Sequence, residues 1–256
     1  MNGAKFIERI RLEHILSFGN EGQELTLEPL NVLIGPNGSG KSNLIEIFSL
    51  LHSATSDITV PIRLGGGINE WLWKGSALVH AAAIEIVAAI QPEVFLRYRL
   101  AFSSPSYFPS GQQLQIDDEI VELARNTNAL PYELFFYRYR HGNPMLNARV
   151  DISAPIGDPN GRMWQELAPE QIDLTKSILS QATSLPVYPE ITLLGFLAEN
   201  IRFYRSFNFG RQSPPRQPQQ ADLPNDFLLE DGSNLGLVLN NLEVNGLKKR
   251  IISVLQ

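Results

Sequence analysis

Eight consecutive residues, Gly35-Pro36-Asn37-Gly38-Ser39-Gly40-Lys41-Ser42, constrain this 256-residue chain more than any other feature. They fit the pattern G-x-x-x-x-G-K-[ST] without a mismatch. They also lie between a short apolar run, Asn31-Val32-Leu33-Ile34, and an amphipathic stretch from Ser42 to Leu51. The run reads as a buried strand and the stretch as a helix. Strand, loop, helix is the context in which such a pattern binds phosphate. Glycines let the backbone wrap so that successive N–H groups face one anion. Lys41 adds a compact positive charge for the β- and γ-phosphates, and Ser42 offers a hydroxyl to Mg²⁺ at a helix start whose dipole favours anions. The expected ligand is ATP with Mg²⁺, held by Gly35, Pro36, Asn37, Gly38, Ser39, Gly40, Lys41, Ser42 and Asn43.

The rest of the chain changes period twice. Phe6 to Leu12 and Glu24 to Leu27 alternate apolar with polar residues, which suits strands before the loop. From His80 to Asp151 short alternating runs are separated by turn-rich segments such as Ser103-Ser104-Pro105, predicting an antiparallel meander. In Phe95 to Phe102, Arg97 and Arg99 share one face and Leu96, Tyr98 and Leu100 the other, the mark of a sheet with one wet side. Helical patterning returns over Leu174 to Gln181 and Ile191 to Asn200, and again from Asn234 to Leu255. Gly210 to Pro224, rich in Pro and Gln, reads as an extended surface segment.

Composition narrows the classes. No cysteine is present, which excludes disulfide frameworks and Cys-type zinc sites. A net charge of −6 means that nucleic-acid binding would need a local basic patch. The N-terminus has no apolar run of signal-peptide kind, and no stretch approaches the ~20 apolar residues of a membrane span; Ala81 to Ile90 is interrupted by Glu85. The expectation is a cytoplasmic protein with no membrane partner.

The spelling of the loop, Gly35 to Asn43, resembles the Walker A segment of ATP-binding-cassette ATPases of the SMC and RecF type. Further blocks, Gly65 to Gly75, Tyr204-Arg205, Gln219 to Pro224 and Leu229 to Gly236, are similar to a bacterial family of RecF-like, AAA-type ATPases. The resemblance implies an ATPase head in which two copies sandwich two ATP molecules, coupled to DNA repair and maintenance or to anti-phage defence. It also implies a signature loop and a strand ending in Asp-Glu (Walker B), which in that family lie toward the C-terminus, so this chain is expected to lack them.

Two segments mimic those parts. Ile116-Asp117-Asp118-Glu119 offers acids, but the preceding residues alternate rather than forming a buried run. Phe227-Leu228-Leu229-Glu230-Asp231 leads into Gly232-Ser233-Asn234, which reads as a helix cap, and Glu230 would repel a γ-phosphate. Neither is taken as catalytic, so the catalytic residues stay unassigned and slow hydrolysis is expected of this chain alone. Gln112, Gln113, Gln181, Gln212 and Gln219 have no diagnostic context. His14, His52, His80 and His141 have no metal spacing, and Trp71 and Trp73 read as packing. The cluster Arg202, Arg205, Arg211 and Arg216 reads as solvated charge, with DNA or a partner as the other reading. Phe18 is a candidate for touching the adenine, and stacking on a base is the other reading of Trp71 and Trp73.

The expected fold is α/β: a P-loop core of cassette-ATPase head type with an antiparallel β subdomain near 80–151 inside a head of residues 1–200. A Pro/Gln-rich connector and a helix would fill 201–256. The alternative function is a nucleotide-binding module that does not hydrolyse ATP without a partner or a further region.

Overall fold

In the computed structural model the described residues are 6–19, 22–75, 81–104, 114–124, 135–140, 142–149, 151, 153, 162–167, 171–173, 175–183, 187–205, 208 and 210–244. The first strand shows how sequence pattern becomes structure. β1 (Ile7–Glu13) pairs antiparallel with β2 (Gln23–Thr26) on one edge and with β3 (Ala81–Gln91) on the other. Its ladder to β3 shifts register between Ile7 and Arg9. That irregularity is why Ile7, Ile10 and Leu12 all reach the core although strict alternation would split them.

From β3 the chain folds as a meander through β4 (Val94–Ser103), β5 (Gln115–Leu123), β6 (Phe135–Arg140), β7 (Asn143–Arg149) and β8 (Arg162–Glu166). The eight strands form one sheet in the order β2-β1-β3-β4-β5-β6-β7-β8, each described pair antiparallel. The meander expected over 80–151 thus continues on both sides, into β1 and β2 and into β8. On β4, Leu96, Tyr98, Leu100 and Phe102 are buried on one face, while Arg97 and Arg99 occupy the other.

Helices cover the apolar face. α1 (Lys41–Ser53) buries Leu44, Ile47, Leu50 and Leu51, a stripe at helical spacing. At about 2 kcal/mol for each such side chain, that stripe rather than helix propensity holds α1 in place. α2 (Thr59–Leu64) and α3 (Ile68–Trp71) follow. The expected helix over 174–181 is only α4 (Ile178–Gln181), begun by Ser177, whose hydroxyl accepts from Leu179 N–H at 3.1 Å. α5 (Pro189–Glu199) packs on α1, α4, β3 and β6. A buried ion pair from Arg162 to Glu190 fixes its first turn to β8, with the guanidinium over the Phe136 ring at 4.6 Å. Removing one partner of such a pair costs about 3–5 kcal/mol.

One expectation is corrected here. Residues 31–34 belong to no helix or strand and join no ladder among the described residues, and the apolar side chains of 30–34 lie open: Leu30 83%, Val32 73%, Leu33 48% and Ile34 90% exposed. β2 and β3 already occupy both edges of β1, and Asn31 turns the chain away by bonding Glu28 through both its N–H (2.9 Å) and its carbonyl (2.6 Å).

The chain divides into two compact units, 1–201 and 202–256. The second is loop-rich and held by side chains bonding to backbone. Buried Asn234 donates to the carbonyls of Pro224 and Phe227, both at 2.7 Å, and accepts from Leu229 N–H at 2.8 Å. Asn234 thereby sets the start of α6 (Leu235–Val244); the rest of the helix expected to Leu255 lies outside the described residues. Among the described residues no helix is long and apolar enough to cross a membrane.

Candidate functional site

The glycine-rich loop closes upon its own lysine. Lys41 Nζ donates to the carbonyls of Gly35 and Pro36, both at 2.7 Å, and to Ser39 Oγ at 3.2 Å. Close packing at Gly35 leaves no space for a side chain, because a Cβ there would fall 2.8 Å from Ser39 Oγ. Gly38 and Gly40 have φ of 80° and 89°, in the left-handed region that favours glycine. At Gly38 a Cβ would meet nothing within 4 Å, so conformation alone demands glycine. At Gly40 space demands it as well, since a Cβ would come within 2.7 Å of Ser17 Oγ.

This geometry leaves donors in want of an acceptor. Among the described residues the backbone N–H groups of Asn37, Gly38, Gly40, Lys41, Ser42 and Asn43 meet no protein acceptor. The N-terminus of α1 has no side-chain cap and no acid in its first turn. An anion seated there would satisfy these amides and the helix dipole together. It would also draw Lys41 from neutral carbonyls to charged oxygens, a bond roughly twice as strong. The Ser42 side chain is exposed at the same end, which suits a hydroxyl assigned to Mg²⁺. The loop residues expected from sequence therefore lie together at one helix start.

Phe18 is placed differently from its expected role. It is 7% exposed, belongs to the main core, and its ring lies under Gly40, where a Cβ would be 3.6 Å from its Cζ. Its ring belongs to the floor of the loop. Trp71 is buried at 2% and Trp73 packs with His14, ring centroids 6.1 Å apart. His52 sits near the carbonyl of Ala198 at 3.3 Å. His80, His141, Gln112 and Gln113 lie outside the described residues.

The acids that mimic catalytic ones have other occupations. Glu119 is buried and accepts from Tyr98, Ser177 and Ile178. Asp118 pairs with Arg140 at 3.4 Å and Arg99 at 3.8 Å. Glu230 accepts from Phe203 N–H at 2.7 Å. Asp231 accepts from Ser233 N–H at 2.9 Å, and the Ser233 bonds hold its carboxyl below the usual range. Gln181 closes a turn onto Asp173 and Lys176, and Gln219 accepts from Leu237 N–H. Among the described residues no group of three or more His, Cys, Asp or Glu is placed to hold a metal ion.

A second polar feature is the wet face of the sheet, a shallow concavity of about 610 Å³ lined by five arginines (Arg9, Arg11, Arg97, Arg99 and Arg140) and four acids (Glu13, Glu24, Glu85 and Asp118). Arg97 is braced between Glu85 at 2.6 Å and Glu122 at 2.5 Å, bonds that raise its already high pKa. Burial pushes Glu13 up, but the Arg11 bond and the charges of Arg99 and Arg11 outweigh it and hold that carboxyl low. With cations and anions nearly balanced, this surface is a cross-strand ion-pair array and not a track for phosphates. In the second unit Arg202 lies over Phe227 and Arg205 over Phe203, at 5.1 and 5.5 Å.

Comparison with known proteins follows the loop. Residues 30–155 match the family described as "AAA domain, putative AbiEii toxin, Type IV TA system". No curated protein matches the chain. One solved chain, from work on the structural biochemistry of ATP-driven dimerization and DNA-stimulated activation of SMC ATPases, is 20% identical to it. That likeness covers 47% of this chain and 72% of the other at a TM-score of 0.33, too low for anything to be carried over. That match spans just under half of the chain, so residues 30–155 are similar to an AAA domain, and the fold that carries them is mixed α/β.

Proposed function

We propose that the chain binds ATP with Mg²⁺ in the loop Gly35 to Ser42, continued by Asn43, as the nucleotide site of a RecF- and SMC-like ATPase head. The observation that carries this reading is the set of acceptor-less amides at the start of α1, beside a lysine held only by loop carbonyls and Ser39. An apolar or cationic ligand would leave those donors unsatisfied, whereas a triphosphate satisfies them. Ser42 would hold the Mg²⁺ that arrives with the nucleotide and neutralises its phosphates. By resemblance, ATP engages two copies head to head, in the cytoplasm, in the service of DNA repair or of defence against foreign DNA.

A second reading is a module that binds ATP and completes its hydrolytic site only with another polypeptide region. The engagement of Asp118, Glu119, Glu230 and Asp231 in other contacts favours it.

Lys41→Ala tests the shared core of both readings. Lys41 Nζ bonds only exposed loop atoms among the described residues and supplies charge, so the variant should melt close to the wild type yet lose ATP affinity by on the order of 10-fold or more, the loss of a charge-assisted bond. Titration with a fluorescent ATP analogue reads this directly. Equal affinity for the two proteins would refute nucleotide binding in this loop.

A further inference from the structure

We propose that Ser17 is a further contact to the nucleotide's phosphate chain, its hydroxyl donating to a phosphate oxygen held at the start of α1. The proposal rests on the reading of Gly35 to Ser42 as the nucleotide site and adds a residue that the loop pattern does not contain. Ser17 is exposed, and its hydroxyl has no protein partner among the described residues. Its oxygen occupies the space that a side chain on Gly40 would need, 2.7 Å from the position of that Cβ. Gly40 is the residue directly before α1, and its own N–H and those of Lys41, Ser42 and Asn43 after it meet no acceptor among the described residues. A phosphate oxygen bound by those amides would lie beside a free hydroxyl donor.

The turn carrying Ser17 is built to hold it there. Ile15 and Phe18 exchange backbone bonds of 3.0 and 2.8 Å, and both side chains are buried, leaving Ser17 outward. The end of α3 and the segment after it clamp the turn: Leu16 N–H donates to Trp71 O at 2.7 Å, and Trp73 N–H to His14 O at 2.9 Å. Two residues of the turn, His14 and Leu16, have φ of 53° and 52°. For a bulky residue such as leucine this left-handed conformation costs about 1–3 kcal/mol, and it persists only where surrounding contacts over-determine it. The result is a hydroxyl at a fixed place, with little ordering left to do when the ligand arrives.

The phosphate chain, rather than the nucleoside, is the chemistry that fits. Ser17 lies against Gly40, whose N–H meets no acceptor among the described residues, and the Phe18 ring next in sequence is sealed in the core.

The test is calorimetric titration of the 256-residue chain with Mg·ATP and, separately, with inorganic tripolyphosphate. Wild type, Ser17→Ala, Ser17→Thr and Lys41→Ala are compared, with ligand-free melting as the control for folding. Losing a hydrogen bond to a charged group should weaken both ligands by a common factor of about 10 in Ser17→Ala. Ser17→Thr, which keeps the hydroxyl, should bind closer to wild type than to Ser17→Ala. Wild-type affinities in Ser17→Ala, alongside lost binding in Lys41→Ala, would overturn the role of Ser17 and leave the nucleotide site standing. Loss of ATP affinity with tripolyphosphate unaffected would also overturn it, since the contact would then be to the nucleoside. So would Ser17→Thr binding as weakly as Ser17→Ala. A wild type that binds neither ligand would instead sink the nucleotide-site reading itself.

Discussion

Glu119 stands on β5 with its side chain turned inward, 1% exposed, against the start of α4. The Tyr98 hydroxyl donates to it at 2.8 Å, the Ser177 hydroxyl at 2.5 Å and the Ile178 N–H at 2.9 Å. Burial pushes this carboxyl up from 4.5 to about 7, and the bonds from Ser177, Ile178 and Tyr98 keep it from rising further. The folded protein therefore holds the proton more tightly than the unfolded chain. The stabilisation is complete below pH 4.5 and is lost as pH rises through about 7, amounting to roughly 3 kcal/mol at 1.36 kcal/mol per unit. Glu119→Gln keeps the shape and removes the titration. Urea unfolding at pH 5 and pH 8 should show the variant gaining on the wild type by an amount of that order between the two. A difference between variant and wild type that is the same at both pH values would mean that Glu119 does not titrate in this window.

At the scale of elements, what could be read from sequence follows the physics of each signal. Turn-rich breaks between short runs marked β3 to β7, alternation marked the wet and dry faces of β4, and the stripe of Leu44, Ile47, Leu50 and Leu51 marked α1. β8 escaped, since its five residues, Arg162-Met163-Trp164-Gln165-Glu166, show no clear alternation and its buried anchor is an arginine. The loop's residues could be read together because they are contiguous, whereas Ser17 could not, because it reaches Gly40 only through the fold of the turn. Residues 30–34 teach the converse: continuous apolarity records a need for burial on both faces but not what supplies it. An exposed apolar run of this kind favours association, because water is released when it is covered. The chain should therefore self-associate with rising concentration, and Val32→Lys should shift sedimentation toward the monomer. Identical sedimentation of the two proteins across a wide concentration range would show that the run takes no part.

For the whole molecule the question is whether binding becomes turnover. Hydrolysis needs the γ-phosphate charge stabilised and a water placed in line with it by a carboxylate or amide. On the proposed reading the loop supplies the first. For the second, the sequence offers Asp117 to Glu119 and Glu230-Asp231, and the fold spends the best of them elsewhere. Glu119 is enclosed between β5 and α4, Asp118 answers Arg99 and Arg140, and Glu230 and Asp231 brace the turn before α6. Asp117 is half-buried, and burial pushes its carboxyl up against the opposing hydrogen bond of Ser103. Lacking a water-activating carboxylate costs on the order of 10²–10⁴-fold in rate. This chain alone should then bind Mg·ATP and turn it over far below the ordinary enzyme range of roughly 1 per second or more. Phosphate release measured at several protein concentrations decides the matter. Steady turnover at or above that rate, abolished by Lys41→Ala, would show that one of these acids leaves its partner and reaches the nucleotide.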